Sequence, residues 1–358
     1  MRRPTLLLAF ACMACLFQTN AQSAYKEEIR GYAIALYKSL DTPQRIQGAR
    51  DFNDSARTKW NNLPVGLRPR AGVSIGHMTD DQRKLVHRIL SASFSSQGYL
   101  KATGIMHLDE LLNRYFDSLY YKKAINDTLY TMVRGLLWSP KNYYFAFFGS
   151  PEDATWGFKL EGHHLSVNFT FGPQQLSVTP FFVGTDPAEY DNSEYAGYRV
   201  LGQEEDLGIK LIHLLSPDQQ KKAIKSSAVP GDIITAAESG KRLVEDWGIT
   251  AAAMTKEQKA VLQYIIREYV FNLEYDKAME EYNKILQAGI DKIYFGWIGA
   301  TDEMKPHYFV LNGPTFLIEF DNNGGPRNGA NHIHSIWREK GKEYGGDVLR
   351  EHYLKEHK

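Results

Sequence analysis

The sequence predicts an α+β fold of two related halves, each a run of helices followed by an antiparallel β-meander, packed as one body. Three observations predict it. Short matches recur along the chain in the same order; Ser/Thr-x-x-Gln signatures stand before apolar residues at helical spacing; and each half closes on strand-like runs.

The matches come first. Leu36 to Gln44 reads like Leu211 to Gln219, and Gly72 with Met78-Thr79 and Gln82 reads like Gly248 with Met254-Thr255 and Gln258. Both pairs lie roughly 175 residues apart. Further on, Tyr144-Phe145 and Gly149 match Tyr294-Phe295 and Gly299, Leu160 to Gly162 matches Leu311 to Gly313, and Phe169 matches Phe320. Here the separation is roughly 150, so the first half carries an extra stretch of about 26 residues. The halves run over about 22–200 and 201–358.

Within each unit the helices have local causes. Thr79 with Gln82, Ser216-Pro217 with Gln219, and Thr255 with Gln258 are capping boxes: the hydroxyl takes a first-turn amide hydrogen and the glutamine reaches back. Leu85, Val86 and Ile89 then recur at helical spacing, as do Val261, Leu262, Ile265, Ile266 and Tyr269. Glu274–Gln287 is a further helix, ended by Gly289. The strands expected are Tyr143–Phe148, Thr155–Leu160 and His164–Phe171, with Glu161-Gly162 as a tight turn. Their counterparts are Lys292–Ile298, His307–Leu311 and Thr315–Asp321, with Asn312-Gly313 as a turn of positive φ.

Composition narrows the function classes. Of 358 residues, 43% are hydrophobic and 23% charged, which excludes a disordered, collagen-like or multi-span membrane protein. Lys+Arg and Asp+Glu both number 42, so no bulk attraction to nucleic acid or an anionic membrane is expected. Residues 1–21 read as a signal peptide: Arg2-Arg3, an apolar run from Leu6 to Phe17, then Thr19-Asn20-Ala21. The run is too short for a membrane span. The protein is therefore expected to be exported, periplasmic or secreted. Lipid anchoring on Cys15 is disfavoured, because Cys12-Met13-Ala14 is a poor lead-in. Both cysteines lie in that segment, so a processed chain has no cysteine for catalysis, disulfides or a zinc ribbon.

The polar residues that can carry chemistry fall late in each half. His163-His164 opens a strand, where alternation sends the rings to opposite faces and puts His164, Ser166, Asn168 and Thr170 on one face. That face is either solvated or lines a site. Glu319 and Asp321 occupy the matching face of the second half. In Asn331-His332-Ile333-His334-Ser335, a strand puts both imidazoles on one face, about 6.5 Å apart, which suits chelation of one divalent ion. His164, Glu319 or Asp321 is the candidate third ligand. Between them lies Asn322–Gly329, a glycine-rich loop in which Arg327 can clamp a carboxylate or phosphate. No G-x-S-x-G or H-E-x-x-H pattern is present. The 21 Tyr, 18 Phe and 6 Trp are mostly core, with Trp138, Trp156 and Trp297 as possible sugar-stacking platforms.

Several blocks resemble a known family. They are Trp60–Pro64 with Arg70-Ala71-Gly72, Glu161–Asn168 with Thr179-Pro180, Gly313–Asn322, Asn331–Arg338 and His352-Tyr353. Together they resemble the bacterial family called domain of unknown function 3500, over nearly all of the chain after the signal peptide. The resemblance implies an exported or periplasmic protein and brings no catalytic residue with it.

The reading is a metal-assisted hydrolase or related small-molecule enzyme. Its ligands are His164, His332 and His334, its metal is a divalent transition ion (zinc foremost), Glu319 or Asp321 is ligand or base, and Arg327 is a substrate clamp. His163, Ser166 and Asn168 are further polar candidates. The alternative is a non-catalytic binding protein for a peptide or glycan.

Overall fold

A computed structural model describes residues 24–173, 175–237, 245–303, 305–324 and 330–346. The stretch 1–21 expected to be a signal peptide, with Cys12 and Cys15, lies outside the described residues, as do Arg327 and His352-Tyr353.

The chain begins with helix α1 (24–39). It continues with α2 (Thr42–Gly48), the short strands β1 (Ala49–Arg50) and β2 (Val73–Ser74), and helices α3 (Asp80–Ser93), α4 (Ser96–Tyr121) and α5 (Asp127–Arg134). Strands β3 (Tyr144–Phe148), β4 (Trp156–Gly162), β5 (Leu165–Phe171), β6 (Leu176–Ser177) and β7 (Phe181–Thr185) follow. Next come α6 (Gly202–Leu214), α7 (Pro217–Ala223), β8 (Ile224–Ser226), β9 (Ile249–Thr250), α8 (Lys256–Val270) and α9 (Tyr275–Ala288). The last strands are β10 (Tyr294–Gly299), β11 (His307–Asn312), β12 (Phe316–Asn323) and β13 (His332–Glu339).

All three capping boxes form, at Thr79, Ser216 and Thr255. Their glutamines also reach beyond their own helices. Gln82 exchanges amide hydrogen bonds with Gln44, and Gln258 does the same with Gln219. Each pair ties the start of a long helix to the short helix before it. Helix α9 ends at Gly289, whose φ of 102° only glycine adopts freely.

The two meanders are not separate sheets. Among the described residues they join in one mixed sheet of 13 strands, in the order β1-β3-β4-β5-β7-β13-β12-β11-β10-β8, with β2 on β3, β6 on β5 and β9 on β10. Strands β1 and β8 run parallel to their neighbours and the other pairs are antiparallel. The central pair β7–β13 carries the junction, with Ser335 opposite Val183.

Helices cover one face. Ile29, Val86 and Ile89 pack with Phe145, Phe158 and Phe169, and Val261, Leu262 and Ile265 with Phe295, Phe309 and Phe320, in one continuous cluster. Burial of such side chains contributes about 2 kcal/mol each. The opposite face is polar, as the sequence suggests, yet it is not solvated. The segment 51–70 lies over the first half and 229–237 over the second. Lys159 Nζ donates to the carbonyls of Ala56 and Lys59 at 2.8 and 2.6 Å, and the Arg70–Glu161 ion pair is buried at 2.8 Å. Trp60, Phe182, Ile233 and Ile336 close an apolar patch between the two covers.

Two expected turns are corrected. Glu161-Gly162 belongs to β4, and the hairpin turns at His163-His164, with His164 at φ 58°. The Gly162 position is filled by the Tyr143 ring, so glycine is needed there for close packing and not for a turn. In the second half the turn is Pro314-Thr315, closed by the Gly313 amide donating to the Phe316 carbonyl at 3.0 Å. Neither Asn312 nor Gly313 has positive φ, and the Phe316 ring packs where a side chain of Gly313 would sit.

Candidate metal centre

Cross-strand register decides where the histidines go. His334 lies opposite Gly184 of β7 on one side and Asp321 of β12 on the other. Directly opposed residues share a face of the sheet, so His332, His334, Asp321 and Glu319 all point to the face without helices. The β4–β5 turn reaches the same place from two strands away. Its backbone is pinned at both sides: His164 N donates to the Asn62 carbonyl at 3.2 Å, and Gly184 N to the His164 carbonyl at 2.7 Å.

Gly184 makes this approach possible. A Cβ there would stand 2.7 Å from the Ile333 carbonyl oxygen, 3.1 Å from His334 Cδ2 and 3.2 Å from His164 Cδ2. The missing side chain is the space into which the two rings fold.

Three imidazoles converge. His332 Nε2 lies 2.9 Å from His164 Nε2 and 3.1 Å from His334 Nε2, and the three ligand atoms lie within 4.8 Å of one another. Adjacent nitrogens of a tetrahedral zinc site are about 3.3 Å apart for bonds near 2.05 Å. Hydrogen bonding alone explains the cluster poorly. An imidazole nitrogen offers one proton or one lone pair, and His332 Nε2 faces two partners at once.

The tautomer of His334 is set from behind. Its Nδ1 lies 2.7 Å from Asp232 Oδ1, so Nδ1 carries the proton and Nε2 presents its lone pair to the cluster. Burial works against the charged ring, but the hydrogen bond and charge of Asp232, with Asp321 and Asp186 nearby, hold its pKa above the ordinary value. His332 is fixed by its backbone, which donates to Asn322 Oδ1 at 3.1 Å.

The carboxylates divide. Asp321 is fully buried, its Oδ2 accepts from Asn323 at 3.2 Å, and its Oδ1 has no hydrogen-bond partner among the described residues. Burial pushes its pKa up to about 8, against the pull of His334 and with the push of Asp232. Glu319 is buried as well but engaged: Ile234 N, Thr235 N, Thr235 Oγ1 and Tyr308 Oη all donate to it. It anchors the covering segment 229–237 and is not among the three convergent residues. Burial raises its pKa and those donors oppose the rise.

The other candidates are placed as follows. His163 and His164 do not point to opposite faces: they form the turn, and their rings stack at 3.7 Å. His163 Nδ1 is held by the buried Asp109 at 2.6 Å, and Tyr143 Oη donates to the same carboxylate at 3.0 Å. Ser166 is buried within β5 opposite Phe182, and Asn168 Nδ2 donates to the Pro180 carbonyl at 3.0 Å, so neither joins the histidines. Trp156 and Trp297 are fully buried, which removes them as sugar platforms, and Trp138 packs beside His163.

Sequence reasoning missed Asp232, Asn62, Gly184 and Asp109. None sits in a spacing pattern. Each is defined by what crosses it in three dimensions.

No helix among the described residues is long and apolar enough to cross a membrane. A family model described as "Protein of unknown function (DUF3500)" matches residues 22–346. No curated protein and no solved structure gives a match. With a match running from residue 22 through β13 and over all three convergent histidines, the chain belongs to the DUF3500 family.

Proposed function

We propose that His164, His332 and His334 hold a divalent transition metal, zinc foremost, in the hydrolytic centre of an exported small-molecule enzyme. The observation that carries this is the convergence of three imidazoles, with Asp232 fixing the tautomer of His334. A bound ion would lower the pKa of its water and so supply a nucleophile near neutral pH. Three protein ligands leave the fourth position open, the pattern of catalytic rather than structural zinc.

The chain's own residues take distinct parts in this reading. Asp321, with one carboxylate oxygen unpartnered beside His334, is the general base, and the charge of a bound ion would bring its pKa back down so that it is ionised. Glu319 is a positioning residue that holds the covering segment over the site. Arg327 keeps its proposed part as a substrate clamp, donating to an oxygen of the bound molecule.

We also propose that the scaffold is one unit used twice. Support comes from the matched glutamine pairs and from the two-residue turns at His163-His164 and Pro314-Thr315. Gly72 and Gly248, both at positive φ, each abut the carbonyl of a matched phenylalanine, Phe145 and Phe295. The histidines are not duplicated, so one site serves both halves.

Elemental analysis of untagged protein lacking residues 1–21, beside a His332→Ala/His334→Ala variant, tests the metal. About one equivalent in the wild type and loss in the variant is expected. Less than about 0.2 equivalents after reconstitution with zinc, unchanged in the variant, overturns it.

A further inference from the structure

Next to His334 a cleft of about 480 Å³ opens between the two covering segments. It runs between Asn61-Asn62-Leu63 on one side and Pro230–Ile234 with Ala236-Ala237 on the other. Two of these residues touch the histidine cluster. Asp232 holds His334 Nδ1, and Asn62 Nδ2 lies 3.4 Å from both ring nitrogens of His334.

That equality of distance is informative. An in-plane group equidistant from both nitrogens would collide with the carbon between them, so the amide must lie over the ring face. Both ring nitrogens already have in-plane partners, Asp232 and His332. The Asn62 amide protons are therefore not consumed by a lone pair of His334. Asn62 is itself buried, at 6% exposure, so an amide whose contact among the described residues is to a ring face gains from an in-plane acceptor that comes from outside.

The lining states what kind of acceptor. Among the described lining residues Asp232 alone is charged, and its charge is committed to His334. Among the described lining residues there is no Lys or Arg to neutralise a phosphate or carboxylate, and no aromatic ring to stack a sugar. What remains is aliphatic surface from Leu63, Ile233 and Ala236 around the amide of Asn62, with Asn61 beside it.

We infer that this cleft binds an uncharged ligand bearing a carbonyl group, an ester or amide with a small aliphatic part. Its carbonyl oxygen accepts from Asn62 Nδ2, and its chain lies on Leu63, Ile233 and Ala236. This deepens the metal reading by naming the substrate class, and it rests on that reading for the chemistry but not for the binding.

The test uses saturation-transfer NMR with butyramide, butyrate and inorganic phosphate as probes, on zinc-reconstituted and on chelator-stripped protein. Butyramide should bind both forms, and Asn62→Ala should weaken it about fivefold, the worth of one neutral hydrogen bond. Asn62→Asp, of the same shape, should weaken it as much while keeping the fold. On the stripped protein, butyrate and phosphate should bind at least about tenfold more weakly than butyramide. The inference falls if butyramide does not bind, if both Asn62 variants bind like wild type, or if an anion binds the stripped protein more tightly. Metal stoichiometry is read separately: a protein that takes zinc but not butyramide keeps the metal reading and loses this one. A protein that takes butyramide through Asn62 but no zinc does the reverse.

Discussion

Asp232 Oδ1 sits 2.7 Å from His334 Nδ1, on the far side of the ring from His332 and His164. The contact orients the imidazole and makes it more basic, although Asp232 comes from a covering segment and His334 from the central strand. Asp232→Asn keeps the shape and removes the charge. Zinc affinity should fall about 10- to 100-fold, measured by competition with a chelator. An unchanged affinity would show that Asp232 does not act through His334.

Gly184→Ala should damage fold and site together. The added Cβ meets a backbone carbonyl at 2.7 Å and the His334 ring at 3.1 Å, and the backbone cannot yield cheaply in mid-sheet. A loss of about 1–3 kcal/mol is expected from urea unfolding. Zinc uptake should fall with it, and wild-type values for both would contradict the packing described.

Glu319→Ala removes the acceptor of four donors beneath the covering segment. Leaving buried donors unpaired should cost roughly 2–4 kcal/mol. The segment around 229–237 should become the first site of limited proteolysis. Cleavage at the wild-type rate would argue that the apolar contacts of Ile233 alone hold it.

Glu339, at the other end of β13, gives a pH signature free of the histidines. Burial, with the charge of Glu281 added, pushes its pKa up to about 7 from 4.5, while Lys277 and Lys284 oppose the shift. A raised pKa means the folded state holds the proton more tightly. Its contribution is therefore full below pH 4.5 and is lost as pH rises through 7, at most roughly 3 kcal/mol. Glu339→Gln should match the wild type at pH 4.5 and exceed its unfolding temperature at pH 8. Equal differences at both pH values would show that Glu339 is not the group responsible.

Much of the fold was legible because its signals are local. The boxes at Thr79, Ser216 and Thr255 depend on residues three apart, and the apolar spacing of Val261 to Tyr269 needs no partner to be read. The pairing of His332 with His334 was equally local. Turns were misplaced where glycine had a different cause: Gly162 and Gly313 make room for Tyr143 and Phe316, a distant and a near ring that look the same in sequence. That error carried His163 and His164 to opposite faces, whereas the turn stacks them. Asp232 left no trace, and Asn62 only its place inside the Trp60–Pro64 block, because a residue that touches the site across a sheet face has no spacing to betray it. The joining of two meanders through β7 and β13 was hidden for the same reason.

The way this sheet ends has a consequence for how copies of the protein meet. The outer side of β3 is divided between β1 and β2, and that of β10 between β8 and β9, each cover only two or three residues long. Neither margin presents a long bare ribbon of amide and carbonyl groups on which a second molecule could build. Loss of β1 and β2 would lay open Tyr144–Phe148, a run of five aromatic and small apolar residues, as a template for sticking. With β1, β2, β8 and β9 in place, the backbone groups of β3 and β10 are already spoken for.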